Sequence, residues 1–262
     1  MYITDVIGIL VREGQLVGAY MTDDHEETLG INSRAQLAEG ERILRLRKNK
    51  ELMDQGVTII DPNNTYVENS VEVGADSILY PGTILEGKTK IGKNCKIGPQ
   101  TRLTNVIVGD DNYIHFTYGH DCEIKNGTDI GPYVHLRPNT IVGDKVHIGN
   151  FVEVKNSVVG TGTKFPHLSY IGDSDVGSGV NIGCGTITVN YNGSEKHRTT
   201  IKDRAFVGCN SNLIAPVTIG EESYIGAGST ITKDVPSRAL AVGRSKQFVK
   251  ENWVTNETFK RK

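Results

Sequence analysis

Aromatic side chains are scarce: they make up 6% of the 262 residues, with a single tryptophan. That is thin for one large globular core, where buried rings supply much of the apolar area. A net charge of −2 leaves no basic field, so neither nucleic acid nor a membrane surface is expected as a partner. The four cysteines, Cys95, Cys122, Cys184 and Cys209, form no CxxC pair and no other metal spacing. They read as reduced thiols, which points to a cytoplasmic protein. No apolar run approaches the roughly 18 residues of a membrane span. The N-terminus lacks the basic, apolar, small-residue order of a secretory signal.

Glycine, by contrast, is plentiful at 30 residues, which suits short strands joined by tight turns. Aliphatic residues also keep a beat. They recur every six positions at Val67, Val73, Leu79, Leu85, Ile91, Ile97 and Leu103. A second run is Ile124, Ile130, Leu136, Val142, Ile148 and Val154; a third is Ile201, Val207, Leu213, Ile219, Ile225 and Ile231. Phe165, Ile171, Val176, Ile182 and Thr188 link the last two runs. A helix needs steps of three and four, and a lone strand steps of two. A sustained six fits a hexapeptide β-helix, each hexad one short strand plus a turn. The aliphatic side chain should point inward. The glycine that often follows it, as in IGKNCK and IGAGST, should let the chain turn a corner at positive φ.

The beat breaks twice. Around YIHFTYGHDCE (113–123) the count slips, which predicts a bulge or loop. Thirteen residues separate Thr188 from Ile201, so NYNGSEKHRT should leave the solenoid as a loop, where binding groups tend to gather. The first 55 residues differ. TDVIGILVREGQ reads as a helix and LVGAY as a short strand. NSRAQLAEGERILRLRKNKELMDQG reads as a long polar linker helix, capped by Asn32 or Ser33 and stopped at Gly56.

Any one of the seven histidines is ordinarily a surface or turn residue. His135 and His147 are expected to point outward. His167 differs by its company: Tyr170, Asn181, Asn190 and Lys196 follow within two coils. Residues about 18 apart stack at about 4.8 Å in such a solenoid. His167, Cys184 or Gly185, and the loop carrying Asn190 should therefore converge.

HIGNFVEVKNS, HLSYIGD, NIGCGTITVNYNG, FVGCNSNLIAPVTIG and IGAGSTIT closely resemble one family. It is the acetyltransferase half of the bacterial bifunctional N-acetylglucosamine-1-phosphate uridylyltransferase/glucosamine-1-phosphate N-acetyltransferase. The likeness runs from about Gly56 to Arg244. YITDVIGIL and GINSRAQLAEGERI resemble the end of the uridylyltransferase domain and its linker. The resemblance implies a mainly β fold, a left-handed parallel β-helix with an N-terminal linker helix, assembled as a homotrimer. The implied domains are 1–34, the end of a nucleotidyltransferase domain; 35–55, the linker helix; and 56–262, the acetyltransferase domain and tail.

The implied reaction moves the acetyl group of acetyl-CoA to the amine of glucosamine 1-phosphate. The product, N-acetylglucosamine 1-phosphate, serves UDP-N-acetylglucosamine and cell-wall synthesis. His167 matches the general base. Arg137 and Lys155 match phosphate-binding positions, with Lys196 in the same role, and Tyr170 and Asn181 match sugar contacts. Cys184, Asn190, Tyr191, Cys209, Ala227 and Arg244 match positions on the acetyl-CoA side. Relatives commonly carry Ala and Ser where Cys184 and Cys209 stand. The family's Gly-rich nucleotide loop and its Mg²⁺-binding Asp have no counterpart here. Asn32 matches the other Mg²⁺ ligand but stands alone, and one amide oxygen cannot hold an ion that needs near-octahedral ligation. Mg²⁺ therefore belongs only to the missing uridylyltransferase half. Two other readings compete: a hexapeptide metalloenzyme of the carbonic-anhydrase type, with Zn²⁺ held by three histidines across a subunit interface, and a non-catalytic repeat scaffold.

Overall fold

The computed structural model describes residues 2–254; Met1 and residues 255–262, the two extremes of the expected domain bounds, lie outside the described residues. The chain divides into two units, Met1–Leu44 and Arg45–Lys262.

The first unit holds helix α1 (Asp5–Arg12), a 3₁₀ turn (His25–Thr28) and the first half of helix α2 (Arg34–Asp54). No residue of α1 is buried. Leu16–Tyr20 forms no strand, against expectation. Its apolar composition suited a strand, but a strand persists only with a hydrogen-bonded neighbour. Ser33 caps α2: its Oγ accepts from the Gln36 N–H at 3.2 Å, and Gln36 Oε1 reaches back to the Asn32 N–H at 2.7 Å. That exchange is close to a capping box.

The second unit opens with the end of α2. Gly56 stops the helix at φ +92°. Its N–H donates to Met53 O, and the Val57 N–H to Leu52 O, the paired bonds of a Schellman motif. Leu52 and Val57 join the core there. Asn49 fastens the helix to the first coil, with Nδ2 donating to the carbonyls of Pro62 at 2.9 Å and Thr65 at 3.0 Å.

From Thr58 to Ala241 the chain winds a parallel β-helix with three faces, in keeping with the left-handed form expected. Each strand pairs in parallel with the strand one coil away. The aliphatic beats stack in columns: Leu79 on Ile97 on Ile114 along the first face, Leu85 on Leu103 along the second, Val108 on Ile124 along the third. Every beat residue named above is buried. Burying one such side chain is worth about 1.5–3 kcal/mol, so the columns carry the fold.

Two local expectations need correction. Of the glycines after the beats, Gly98 (φ +100°) and Gly131 (φ +128°) supply the expected positive φ, but most, Gly92 among them, do not. A Cβ on Gly92 would lie 2.4 Å from the Gly109 carbonyl oxygen of the next coil, so glycine is there to let coils approach. The left-handed turn falls two residues later, at Asn94 (φ +55°). The slip near 113–123 is also neither bulge nor loop. Ile114, Gly119 and Ile124 are spaced by five and five, and Gly119 takes the inward place between Leu103 and Leu136. A Cβ on it would meet Leu103 Cδ2 at 3.1 Å, so the smaller coil is fitted by the smallest residue.

The long step after Thr188 does leave the solenoid. Tyr191 and Lys196 form an antiparallel bridge, and the His197 N–H closes on Asn190 O at 2.8 Å. Asn192 Oδ1 turns the tip by accepting from the N–H groups of Ser194 at 2.9 Å and Glu195 at 2.8 Å. Residues 191–196 are exposed, and Thr188 and Ile201 stay in their columns.

Candidate functional site

The expected site residues fall on two edges of the solenoid and one face. The first edge, between the first and second faces, carries His167, Cys184, Cys209, Ala227 and Arg244. Backbone bonds stack its coils: Gly185 N–H to Leu168 O, Asn210 N–H to Cys184 O and Gly228 N–H to Cys209 O, each 2.7 Å. Arg244 reaches this edge through its stem, since a Cβ on Gly228 would lie 3.9 Å from Arg244 Cδ. Cys209, Ala227 and Arg244 are exposed and Cys184 is half-buried.

His167 lies in the strand Lys164–Gly172, beside the inward-pointing Phe165. Its backbone pairs with Asn150 of the strand His147–Lys155. Asn150 Oδ1 lies 2.8 Å from His167 Nδ1. An amide oxygen only accepts, so this contact puts the ring proton on Nδ1 and leaves the lone pair on Nε2.

The second edge, between the second and third faces, gathers the cations. Lys155 Nζ lies 3.6 Å from Asp173 Oδ2, with side-chain exposures of 18% and 6%. Asn156 Nδ2 donates to Asp173 Oδ1, and Asn190 Nδ2 to Asp173 Oδ2. Burial alone would raise the Asp173 carboxyl, but the two amide bonds and the charges of Lys155 and Lys196 hold it below the usual aspartate value. Lys196, on the excursion loop, is pulled below the ordinary lysine value chiefly by the neighbouring Lys155. Tyr170 joins this group, its hydroxyl 3.5 Å from Asn190 Nδ2. Gly172 makes room for that ring, because a Cβ there would sit 2.4 Å from the Tyr170 oxygen. Arg137, one coil away from Lys155, donates from Nη1 to Glu153 Oε1 at 2.9 Å.

The expected convergence is met only in part: Gly185 stacks on Leu168 beside His167, but the Asn190 loop leaves from the second edge with Asp173 and Tyr170, because the chain first crosses the second face at Thr188. Three expected residues stand elsewhere. Asn181 is on the first face, in register between Lys164 and Phe206, and does not join the second-edge cluster within one chain. Tyr191 lies on the exposed loop, its hydroxyl on Gly193 O at 2.6 Å. Asn32 lies in the first unit, where its N–H bonds Gln36. Among the described residues no group of three or more His, Cys, Asp or Glu is placed to hold a metal ion. His135 lies against Tyr118 at 5.2 Å, and burial pulls its imidazole below the ordinary histidine value. His147 faces Asp129 at 3.1 Å.

Sequence reasoning missed Asn150, Glu153, Asn156 and Asp173, which hold the site residues in place. A signal was available. Asn150 precedes His167 by 17 residues, Asn156 precedes Asp173 by 17, and Asp173 precedes Asn190 by 17. One coil back from His167 and Asn190 stand Asn150 and Asp173, and one coil ahead of Arg137 and Lys155 stand Glu153 and Asp173.

This solenoid and its edges define the hexapeptide-repeat class: residues 121–156 and 198–233 match the model for bacterial transferase hexapeptide (six repeats). More particularly, the chain is homologous to the C-terminal, hexapeptide-transferase part of bifunctional protein GlmU. It is 52% identical over 260 residues to that protein from Geobacillus sp. (strain WCH70), covering 99% of this chain and 57% of the relative. It is 53% identical over 261 residues to the one from Geobacillus thermodenitrificans (strain NG80-2), covering 100% and 57%. The chain thus spans about 57% of the length of these curated relatives. A solved Francisella novicida UDP-N-acetylglucosamine acyltransferase aligns at 17% identity, covering 71% of this chain and 67% of that one, with a TM-score of 0.43.

Proposed function

We propose that the chain transfers the acetyl group of acetyl-CoA to the amine of glucosamine 1-phosphate. The observation that carries this reading is the exposed His167, held through Nδ1 by Asn150, on the edge that also bears Cys184, Cys209, Ala227 and Arg244. Nε2 takes a proton from the sugar ammonium, or from the amine as it attacks the thioester carbon. The C–S bond breaks, and CoA leaves as the thiolate that accepts a proton. Backbone N–H groups of the Asn190–Tyr191 loop, which stands on the second edge and so meets His167 only from a neighbouring chain, are the candidate donors to the thioester oxygen as it becomes anionic, and one such donor is typically worth about 2.7–4 kcal/mol.

Arg137, Lys155 and Lys196 bind the sugar phosphate, and Tyr170 and Asn181 hold the sugar. Cys184, Asn190, Tyr191, Cys209, Ala227 and Arg244 line the acetyl-CoA side. Residues 1–34 are the end of a nucleotidyltransferase domain, 35–55 the linker helix and 56–262 the acetyltransferase domain. Mg²⁺ takes no part in this reaction. A reducing, cytoplasmic setting suits the four free cysteines.

The working unit is a homotrimer. Asn181 on the first face is remote from Lys155 and Tyr170 in one chain, so a neighbour presenting its first face to this chain's second face unites them. An active monomer in sedimentation would refute that arrangement. The direct test of the activity is thiol release from acetyl-CoA with glucosamine 1-phosphate as acceptor. Release no faster than with His167→Ala would sink the assignment.

A further inference from the structure

Asp173 occupies an edge position that recurs in every nearby coil. Asn139 (φ +60°), Asn156 (φ +45°) and Asp173 (φ +48°) stand at the same corner of three successive coils. Each donates its N–H to the previous coil: Asn139 to Asp121 O, Asn156 to Pro138 O, Asp173 to Lys155 O. A left-handed corner is met by Asn as well as Asp, because both short side chains tolerate that conformation. The corner therefore explains an Asn-like shape at 173 and leaves the charge unexplained.

A buried carboxylate is costly unless it is paired and hydrogen-bonded. Asp173 is both, and its partners are functional candidates. Oδ1 accepts from Asn156 Nδ2. Oδ2 accepts from Asn190 Nδ2 and faces Lys155 Nζ at 3.6 Å. Asn190 is also the near stem of the excursion loop, closed by the His197 N–H on its carbonyl at 2.8 Å. One carboxylate thus fixes the Lys155 ammonium and the root of the loop that carries Tyr191 and Lys196. It also offsets part of the repulsion between Lys155 and Lys196, which otherwise lowers the Lys196 pKa.

We propose that Asp173 is a positioning residue for phosphate recognition: it presets Lys155 and, through Asn190, the loop bearing Lys196, so that a phosphorylated amino sugar meets cations already in place. An amide cannot substitute. It offers one accepting oxygen where the carboxylate offers two, and it turns an NH₂ toward donors that need an acceptor. Preset cations favour the phosphate without first having to be ordered, which is where preorganisation gains affinity. The inference rests on the substrate reading above.

The test compares Asp173→Asn, which keeps shape and corner conformation, with the unaltered chain. Calorimetric titration with glucosamine 1-phosphate, and with unphosphorylated glucosamine, reads binding without turnover. Thiol release with the same two acceptors reads activity. The expected result is an affinity for glucosamine 1-phosphate weaker by at least about tenfold, as for loss of one buried charge partner. The KM for that substrate rises in step, and kcat/KM falls by a clearly larger factor with glucosamine 1-phosphate than with glucosamine. Asp173→Glu should restore part of the lost affinity. Equal losses on both acceptors would make Asp173 a merely structural residue, and unchanged affinity for the phosphorylated sugar would overturn the proposal outright. A chain that binds glucosamine 1-phosphate but releases no thiol would sink the acetyltransferase reading, while the titrations still decide the role of Asp173.

Discussion

Asn150 and His167 stand 17 residues apart in sequence and 2.8 Å apart in space, amide oxygen to imidazole Nδ1. The pair makes the tautomer of the candidate base a property of the coil spacing. His167→Ala should lower kcat by roughly 10²–10⁴, the usual span for loss of a general base, with far-ultraviolet circular dichroism unchanged. Asn150→Ala removes one hydrogen bond and should cost about two- to tenfold in kcat, the equivalent of about 0.5–1.5 kcal/mol. Proton-coupled nitrogen spectra of the His167 ring would show Nδ1–H in the parent and a mixture of tautomers in the variant.

Lys196 sits beside Lys155, which pulls its pKa below the ordinary lysine value. A lowered lysine pKa means the cation is lost sooner as pH climbs. The KM for glucosamine 1-phosphate should therefore begin to rise below the ordinary lysine pKa of about 10.4, while the KM for glucosamine stays flat. Lys196→Arg should abolish the early rise, because guanidinium keeps its charge through that range. Parallel pH profiles for both acceptors would remove Lys196 from phosphate recognition.

Phe165 is the largest of the fully buried side chains and lies two residues from His167. Phe165→Ala should destabilise the chain by about 3–5 kcal/mol through the cavity it leaves. Tyr224, exposed on the same face, supplies the control. Tyr224→Ala should shift the urea midpoint far less.

Cys184 and Cys209 lie in consecutive coils of the first edge, one half-buried and one exposed. Direct transfer needs neither thiol. Cys184→Ala and Cys209→Ser should keep most activity, and initial-rate patterns should be sequential. An acetyl group trapped on either sulfur, or ping-pong kinetics, would overturn direct transfer. Cys122 serves as an internal reference: burial pushes its thiol up to about 12, so it should resist alkylation at neutral pH while Cys209 reacts.

The columns were legible because one residue in six had to be apolar, and from Val67 to Ile231 those residues are buried. The turns were less legible. Glycine after the beat looked like a conformational requirement, whereas at Gly92 it is a spacing requirement imposed by the neighbouring coil. Gly119 was invisible as a beat residue because it has no side chain to mark it. Counting stacked the Cys184–Gly185 corner on His167 but also sent the Asn190 loop there, whereas that loop leaves from the next edge, and the supports could not be seen one at a time. Asn150, Asn156 and Asp173 are ordinary turn residues in sequence, and only the 17-residue step to their partners gives them away. Leu16–Tyr20 failed for the opposite reason: local composition favoured a strand, and pairing is never a local property.

The excursion between Thr188 and Ile201 leaves both residues stacked in their columns. The ladder is thus indifferent to how much chain a corner carries, and lengthening such a loop costs little free energy, since closure entropy grows only slowly with length. Scaffold and reach are separable inheritances here. A lineage can redraw what the edge grasps by adding or trimming residues at one corner, without renegotiating a single core contact.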